Sequence, residues 1–204
     1  MDSHLNDLPK LLRELHDALV LEDAPPVEWI VCGGTALALQ NLTVRTTRDV
    51  DVLAEWEATT LEAIAIGTFP PAVRRAIDRV AAAHPELGGT LPAWVNLGPQ
   101  QIVSEGLPDG FDSRLVTFRI GPRLALHLLG RLDLIALKLY AASDDLGGRQ
   151  EIHLDDLIQL KPTAVDLEFA LAWAVRMPDP QHRLRPALKR IIEDLGHDDL
   201  AYYL

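Results

Sequence analysis

The chain has 204 residues, 48% apolar and 24% charged, with a formal charge of −11 at pH 7, so it has the composition of a folded globular protein rather than a disordered tail. The acidic excess excludes a protein that coats a long stretch of nucleic acid, but it leaves room for one nucleotide or one nucleic-acid end in a small basic pocket. Cys32 is the single cysteine, which excludes an intramolecular disulfide and a thiolate zinc cluster.

In chain order, Leu8, Leu11, Leu12, Leu15 and Leu19 recur at helical spacing, with Asp7 as cap and Pro9 in the first turn. The breaker Asp23-Ala24-Pro25-Pro26 ends that helix. Glu28 to Cys32 predicts a short buried strand, Gly33-Gly34 a turn, and Thr35 to Leu42 a helix. Arg45 and Arg48 lie in the loop before a second strand, Asp49 to Leu53, marked by β-branched content and alternation. Helices are expected around Glu57–Ile66 and Pro71–His84, and a strand at Pro92–Leu97. Gly98 to Ser113 predicts a long surface loop. Leu115–Ile120 and Leu124–Leu128 flank Gly121-Pro122 as a hairpin. From Arg131 onward the pattern is helical, with Thr163 capping the stripe of Leu167, Ala170, Leu171 and Ala174, and a last helix over about Gln181–Leu195.

The fold class expected is α/β (α+β): a mixed sheet flanked by helices, followed by a C-terminal helical cap. The division expected is a core over residues 1–129 and a cap over 130–204, packed as one unit. The N-terminus MDSHLNDLPK lacks a basic stretch followed by an apolar core, and no apolar run approaches the length of a membrane span. A cytoplasmic protein with no membrane partner is the expectation.

Two features point to chemistry. Side chains at i and i+2 of a strand share a face, so Asp49 and Asp51 would lie side by side among valines. Their repulsion asks for compensation, and a hard divalent cation with oxygen ligands is the common solution. A solvent-facing strand with two harmless acids is the bland alternative, favoured if the pair stood alone. Gly33-Gly34 lies between a buried strand and a helix, where bare backbone N–H groups can meet a phosphate, and Thr35 adds a hydroxyl. A phosphate cradle beside a metal site on the next strand is what handling a nucleoside triphosphate requires.

The run Gly33-Gly34-Thr35-Ala36 … Arg45-Thr46-Thr47-Arg48-Asp49-Val50-Asp51-Val52 resembles the signature of the polymerase-β-type nucleotidyltransferase superfamily, most nearly its AbiEii-type, toxin-like bacterial branch. Further segments are similar to a small uncharacterised subgroup of that branch, among them Leu91–Asn96, Gly106–Phe111, Asp133–Ala141 and His153–Leu157. The resemblance implies transfer of a nucleoside monophosphate from a triphosphate to an RNA end or a protein hydroxyl, with release of pyrophosphate. It implies Mg2+ or Mn2+ on Asp49 and Asp51, the triphosphate on Gly33, Gly34 and Thr35 with Arg48 nearby, and catalytic roles for Lys138 and Asp156. A toxin role would bring an antitoxin partner. A catalytically weak or inactive nucleotide- or partner-binding module is the alternative.

Lys138 is the only charge in Leu134–Ser143, so it either snorkels to water or turns its ammonium toward a cleft. In either case removing an isolated ammonium from a core helix is expected to leave stability unchanged or raised. His153 and Asp156, three apart, would share a helix face. The superfamily's third carboxylate, on a later strand, meets Asn96 here, which takes no proton at neutral pH.

Overall fold

The computed structural model describes residues 7–47, 49–87, 93–143 and 150–202. Helix α1 (Asp7–Leu21) leads to strand β1 (Val27–Cys32), helix α2 (Gly33–Leu39), strand β2 (Val50–Glu57), strand β3 (Glu62–Ile64) and helix α3 (Pro71–Ala83). Strand β4 is reduced to Val95–Asn96, and the short helix α4 (Gln101–Glu105) follows. The hairpin is β5 (Val116–Gly121) and β6 (Leu124–Leu128). Helices α5 (Arg131–Ser143), α6 (Gln150–Leu160), α7 (Ala164–Ala174), α8 (Leu184–Asp194) and α9 (Asp198–Ala201) complete the chain.

Among the described residues, six strands form one mixed sheet in the order β3-β2-β1-β6-β5, with β4 also on β2. This is the α/β architecture with C-terminal helices that the periodicity predicts. β1 runs antiparallel to β2 and parallel to β6, and β4 runs parallel to the start of β2. The described residues fall into two compact units. One contains the sheet, running to Gly106 and taking in Asp112–Leu129; the other joins Leu107–Phe111 to the helices from Gly130 onward.

In the sheet unit, Leu11, Leu12, Leu15 and Leu19 of α1 are buried, as are Val73, Ile77 and Val80 of α3. These are the apolar stripes of two amphipathic helices, which pack on each other while α1 also touches β5. Trp94 is buried and its indole N–H donates to the Ile77 carbonyl at 3.2 Å, tying β4 to α3. It is a packing residue with its polar atom satisfied.

Two expectations are corrected. The helix expected around Glu57–Ile66 is instead the end of β2, a turn and β3, with Glu55, Trp56 and Glu57 opposite Ile64, Ala63 and Glu62. Glu, Ala and Leu are good helix formers in isolation, but the ladder with β2 overrides local propensity. The Thr59 N–H donates to the Glu57 carboxylate at 2.9 Å, and Leu61 takes φ 57° to close the turn. The loop expected over 98–113 contains α4 and two 3-10 turns, Gly98–Gln100 and Phe111–Arg114.

In the helical unit Thr163 caps α7 as its position suggests. Its hydroxyl accepts from the Asp166 N–H at 3.2 Å and the Asp166 carboxylate accepts from the Thr163 N–H at 2.9 Å, a reciprocal capping box. Arg131 of α5 donates to the same carboxylate at 3.0 Å. Burial alone would raise the Asp166 pKa, but these hydrogen bonds outweigh it and hold the group below its ordinary value. Thr163→Ala should cost about 1 kcal/mol of stability, read as a lowered melting temperature. An unchanged melting curve would mean that α5 contacts alone hold the start of α7.

Candidate functional site

β1 delivers the chain into Gly33, which sits at φ 63°, in the left-handed region that favours glycine. The reason for glycine here is also steric. A Cβ on Gly33 would collide with Asp51 Oδ2 and come within 3.1 Å of Asp51 Cγ. The backbone of the turn therefore lies directly against the Asp51 carboxylate. Gly34 is close-packed on its other side, where a Cβ would come within 2.9 Å of Thr47 Oγ1 and 3.1 Å of an Arg45 guanidinium nitrogen. Gly34 thus lets the 45–47 loop approach the turn, and Arg45 brings a cation beside Gly34.

Thr35 is fully buried and its hydroxyl donates to the Asp49 carbonyl at 2.6 Å. That bond satisfies a buried polar group and ties the start of α2 to the residue that precedes β2. Asp49 is exposed and lies one residue before β2, while Asp51 is half-buried within it. The two acids are therefore not an alternating pair inside one strand. Asp49 is placed by the Thr35 tie and Asp51 by the sheet.

The register places Asp51 through an irregularity. Ile30 pairs with Ala54, yet Val31 pairs with Val52 and Cys32 with Asp51, so β2 carries one extra residue at Leu53. Such a bulge offsets the alternation on one side of it relative to the other. Without it Cys32 would face Val52, and Asp51 would point to the opposite side of the sheet. With it Asp51 joins the face that carries Cys32, Ile30 and Glu28. On its other edge β2 meets β4, where Asp51 pairs with Asn96. Asn96 Nδ2 donates to Asp51 Oδ1 at 3.0 Å, and Asn96 Oδ1 accepts from the Gly98 N–H at 3.0 Å.

Gly33, Gly34, Thr35, Asp49 and Asp51 thus come together in the sheet unit. Arg48 lies outside the described residues. Lys138 and Asp156 come together in the helical unit, with Nζ 2.6 Å from Asp156 Oδ2 and 3.3 Å from His153 Nδ1. Both are buried, Asp156 completely, so of the two orientations open to Lys138 the snorkelling one does not occur, and its ammonium is turned to Asp156. His153 and Asp156 share a face of α6, as their spacing suggests, and both address the same ammonium. Among the described residues no group of three or more His, Cys, Asp or Glu side chains is placed to hold a metal ion by itself.

One cluster escaped the sequence reading because its members are far apart in the chain. His127 of β6 is buried, with Nε2 2.7 Å from Glu28 Oε2 and Nδ1 3.1 Å from Thr117 Oγ1, and Trp56 lies against its ring at 5.9 Å between centroids. Burial would raise the Glu28 pKa, but the hydrogen bonds from His127 and Arg119 overcome it and hold the carboxyl below its ordinary value. His127 pairs with Ile30 across β1, so this cluster shares the sheet face of Asp51.

No curated protein and no solved structure matches the chain. A family model described as "Nucleotidyltransferase of unknown function (DUF6036)" matches residues 6–160, well over half of the length. The matched span includes the Gly33-Gly34 turn, the two acids, Asn96, Lys138 and Asp156. The chain belongs to this nucleotidyltransferase family, with the glycine turn and Asp51 in direct contact within its sheet.

Proposed function

We propose that the protein is a metal-dependent nucleotidyltransferase of the toxin-like kind, moving a nucleoside monophosphate from a nucleoside triphosphate to an RNA end or a protein hydroxyl. The observation that carries this reading is the packing of the Gly33 backbone on the Asp51 carboxylate, with Thr35 holding Asp49 to the same turn. A turn without side chains beside a carboxylate pair offers a phosphate-sized approach next to oxygen ligands. A cognate antitoxin belongs to the toxin-like form of the reading.

The donor set fits magnesium or manganese in one particular way. Two carboxylates are too few to enclose an octahedral cation, but Mg2+ is ordinarily held by one or two carboxylates plus substrate phosphates. Asp49 and Asp51 would hold it, and it would supply charge neutralisation on the phosphates. In the reaction the acceptor oxygen forms a bond to the α-phosphorus, the bond to the β-phosphate oxygen breaks, and pyrophosphate leaves. The hydroxyl proton passes to solvent at the exposed Asp49 side. Asp156 is ill-suited to take it, being fully buried and paired with Lys138. Arg45, beside Gly34, is placed to offset negative charge at the turn. The net charge of −11 suits a single acceptor group better than an extended nucleic acid.

One observation favours the second reading, a nucleotide-binding module with little or no chemistry. The position beside Asp51 on the neighbouring strand holds an amide and not a carboxylate. Incubation with each labelled triphosphate, Mg2+ or Mn2+, and total cellular RNA or protein separates the two. Label transfer that disappears in Asp51→Asn supports the enzyme; triphosphate binding without transfer supports the module. Calorimetry should find Mn2+ bound more tightly with a non-hydrolysable triphosphate than without it. Asp49→Asn/Asp51→Asn should weaken the ternary binding by at least about tenfold, the loss of one or more charge-assisted contacts. Equal affinity in parent and double variant would remove the acids from the site.

A further inference from the structure

Asp51 is held from two sides. Its Oδ2 faces the Gly33 turn and its Oδ1 accepts from Asn96 Nδ2. Asn96 itself is held by the strand pair Asp51–Asn96 and by the Gly98 N–H on its Oδ1. These two bonds fix which way the amide points. Rotated by half a turn, it would set its oxygen against the carboxylate and its NH2 against an N–H, two repulsive contacts in place of two bonds. An aspartate at this position could accept from Gly98 but could not donate to Asp51 while ionised. The residue thus does something for Asp51 that a third carboxylate would not.

We propose that Asn96 is the positioning residue of the acid pair, orienting Asp51 through Oδ1 and holding the protein's donor set at two carboxylates, so that the divalent cation enters with the triphosphate. This rests on the nucleotidyl-transfer reading above. A carboxylate oriented by a neighbouring amide needs no reorganisation when the cation arrives, and outer hydrogen-bond partners of metal ligands typically carry about 10–100-fold in affinity. With two carboxylates and no third among the described residues, a cation without nucleotide finds too few oxygens, and the triphosphate supplies the remainder.

The test uses the full chain, Mn2+, and a non-hydrolysable nucleoside triphosphate, with Mn2+ binding followed by electron paramagnetic resonance and folding by thermal melting. Asn96→Ala should stay folded and weaken Mn2+ in the ternary complex by about tenfold or more. Asn96→Asp keeps the acceptor for the Gly98 N–H, so a role confined to that turn predicts parental behaviour. The limit of two carboxylates predicts instead that Asn96→Asp binds Mn2+ without nucleotide at least about tenfold more tightly than the parent, because a third carboxylate is now present. Parental Mn2+ binding in both variants overturns the proposal while leaving the function intact, provided Asp51→Asn abolishes the ternary complex. If the parent itself forms no ternary complex, or Asp51→Asn forms it unchanged, the nucleotidyl-transfer reading and this inference fall together.

Discussion

Lys138→Met is expected to destabilise the protein by about 3–5 kcal/mol, the usual cost of breaking a buried ion pair from one side. Treated as an isolated ammonium in a core helix, Lys138 would be replaceable at no cost. The structure reverses that expectation, because its Nζ lies 2.6 Å from the Asp156 carboxylate and Asp156 has no exposed surface. Methionine preserves the stem and takes the ammonium away from a fully buried carboxylate. Chemical denaturation measures the loss. The companion Lys138→Met/Asp156→Leu removes both charges and should recover most of it, since a hydrophobic replacement of a whole buried pair is often neutral or better. Parental stability in the single variant would show that the pair opens to water in solution. Activity of Lys138→Met has to be read at a temperature where it remains folded, otherwise unfolding passes for a catalytic role.

Gly33→Ala should lower nucleotidyl transfer by about 100-fold or more, the scale expected when a reacting group is displaced by about an ångström. Two costs combine at this position. A left-handed φ of 63° strains any residue with a Cβ, by about 1–2 kcal/mol. The methyl would also overlap Asp51 Oδ2, so the carboxylate has to leave the turn. Melting and transfer assays together check this: a modest fall in stability with near-complete loss of transfer is the expected pair of results. Normal transfer in a folded Gly33→Ala would detach Asp51 from the reaction. Gly34 is a less clean probe, since a side chain there would first push away Thr47 and Arg45.

Much of this was legible in the sequence, and for a local reason. The leucine stripe of α1, the hairpin of β5 and β6, and the Thr163 cap depend on residues a few positions apart, so their patterns survive without tertiary information. Gly33-Gly34 between a buried strand and a helix is likewise a local signal, and consecutive strands place Asp51 near it. Residues 57–66 mark the limit, because a segment of helix formers becomes strand when the edge of β2 needs a partner.

What the tertiary structure decided is the arrangement of long-range partners. Alternation in Asp49-Val50-Asp51-Val52-Leu53 suggests two acids on one strand face, whereas the strand starts after Asp49 and a bulge at Leu53 sets the side on which Asp51 emerges. No pattern in five residues encodes that bulge, since it arises from the register with β1. Asn96 and Asp51 are 45 residues apart, His127 and Glu28 99 apart, and Lys138 finds Asp156 on the next helix. Composition and spacing determined the kinds of groups this protein carries and the helices and strands that bear most of them. Which group neutralises, orients or buries which is a property of distance in space, and it follows from sheet register and helix packing that summed weak contacts across the whole chain select.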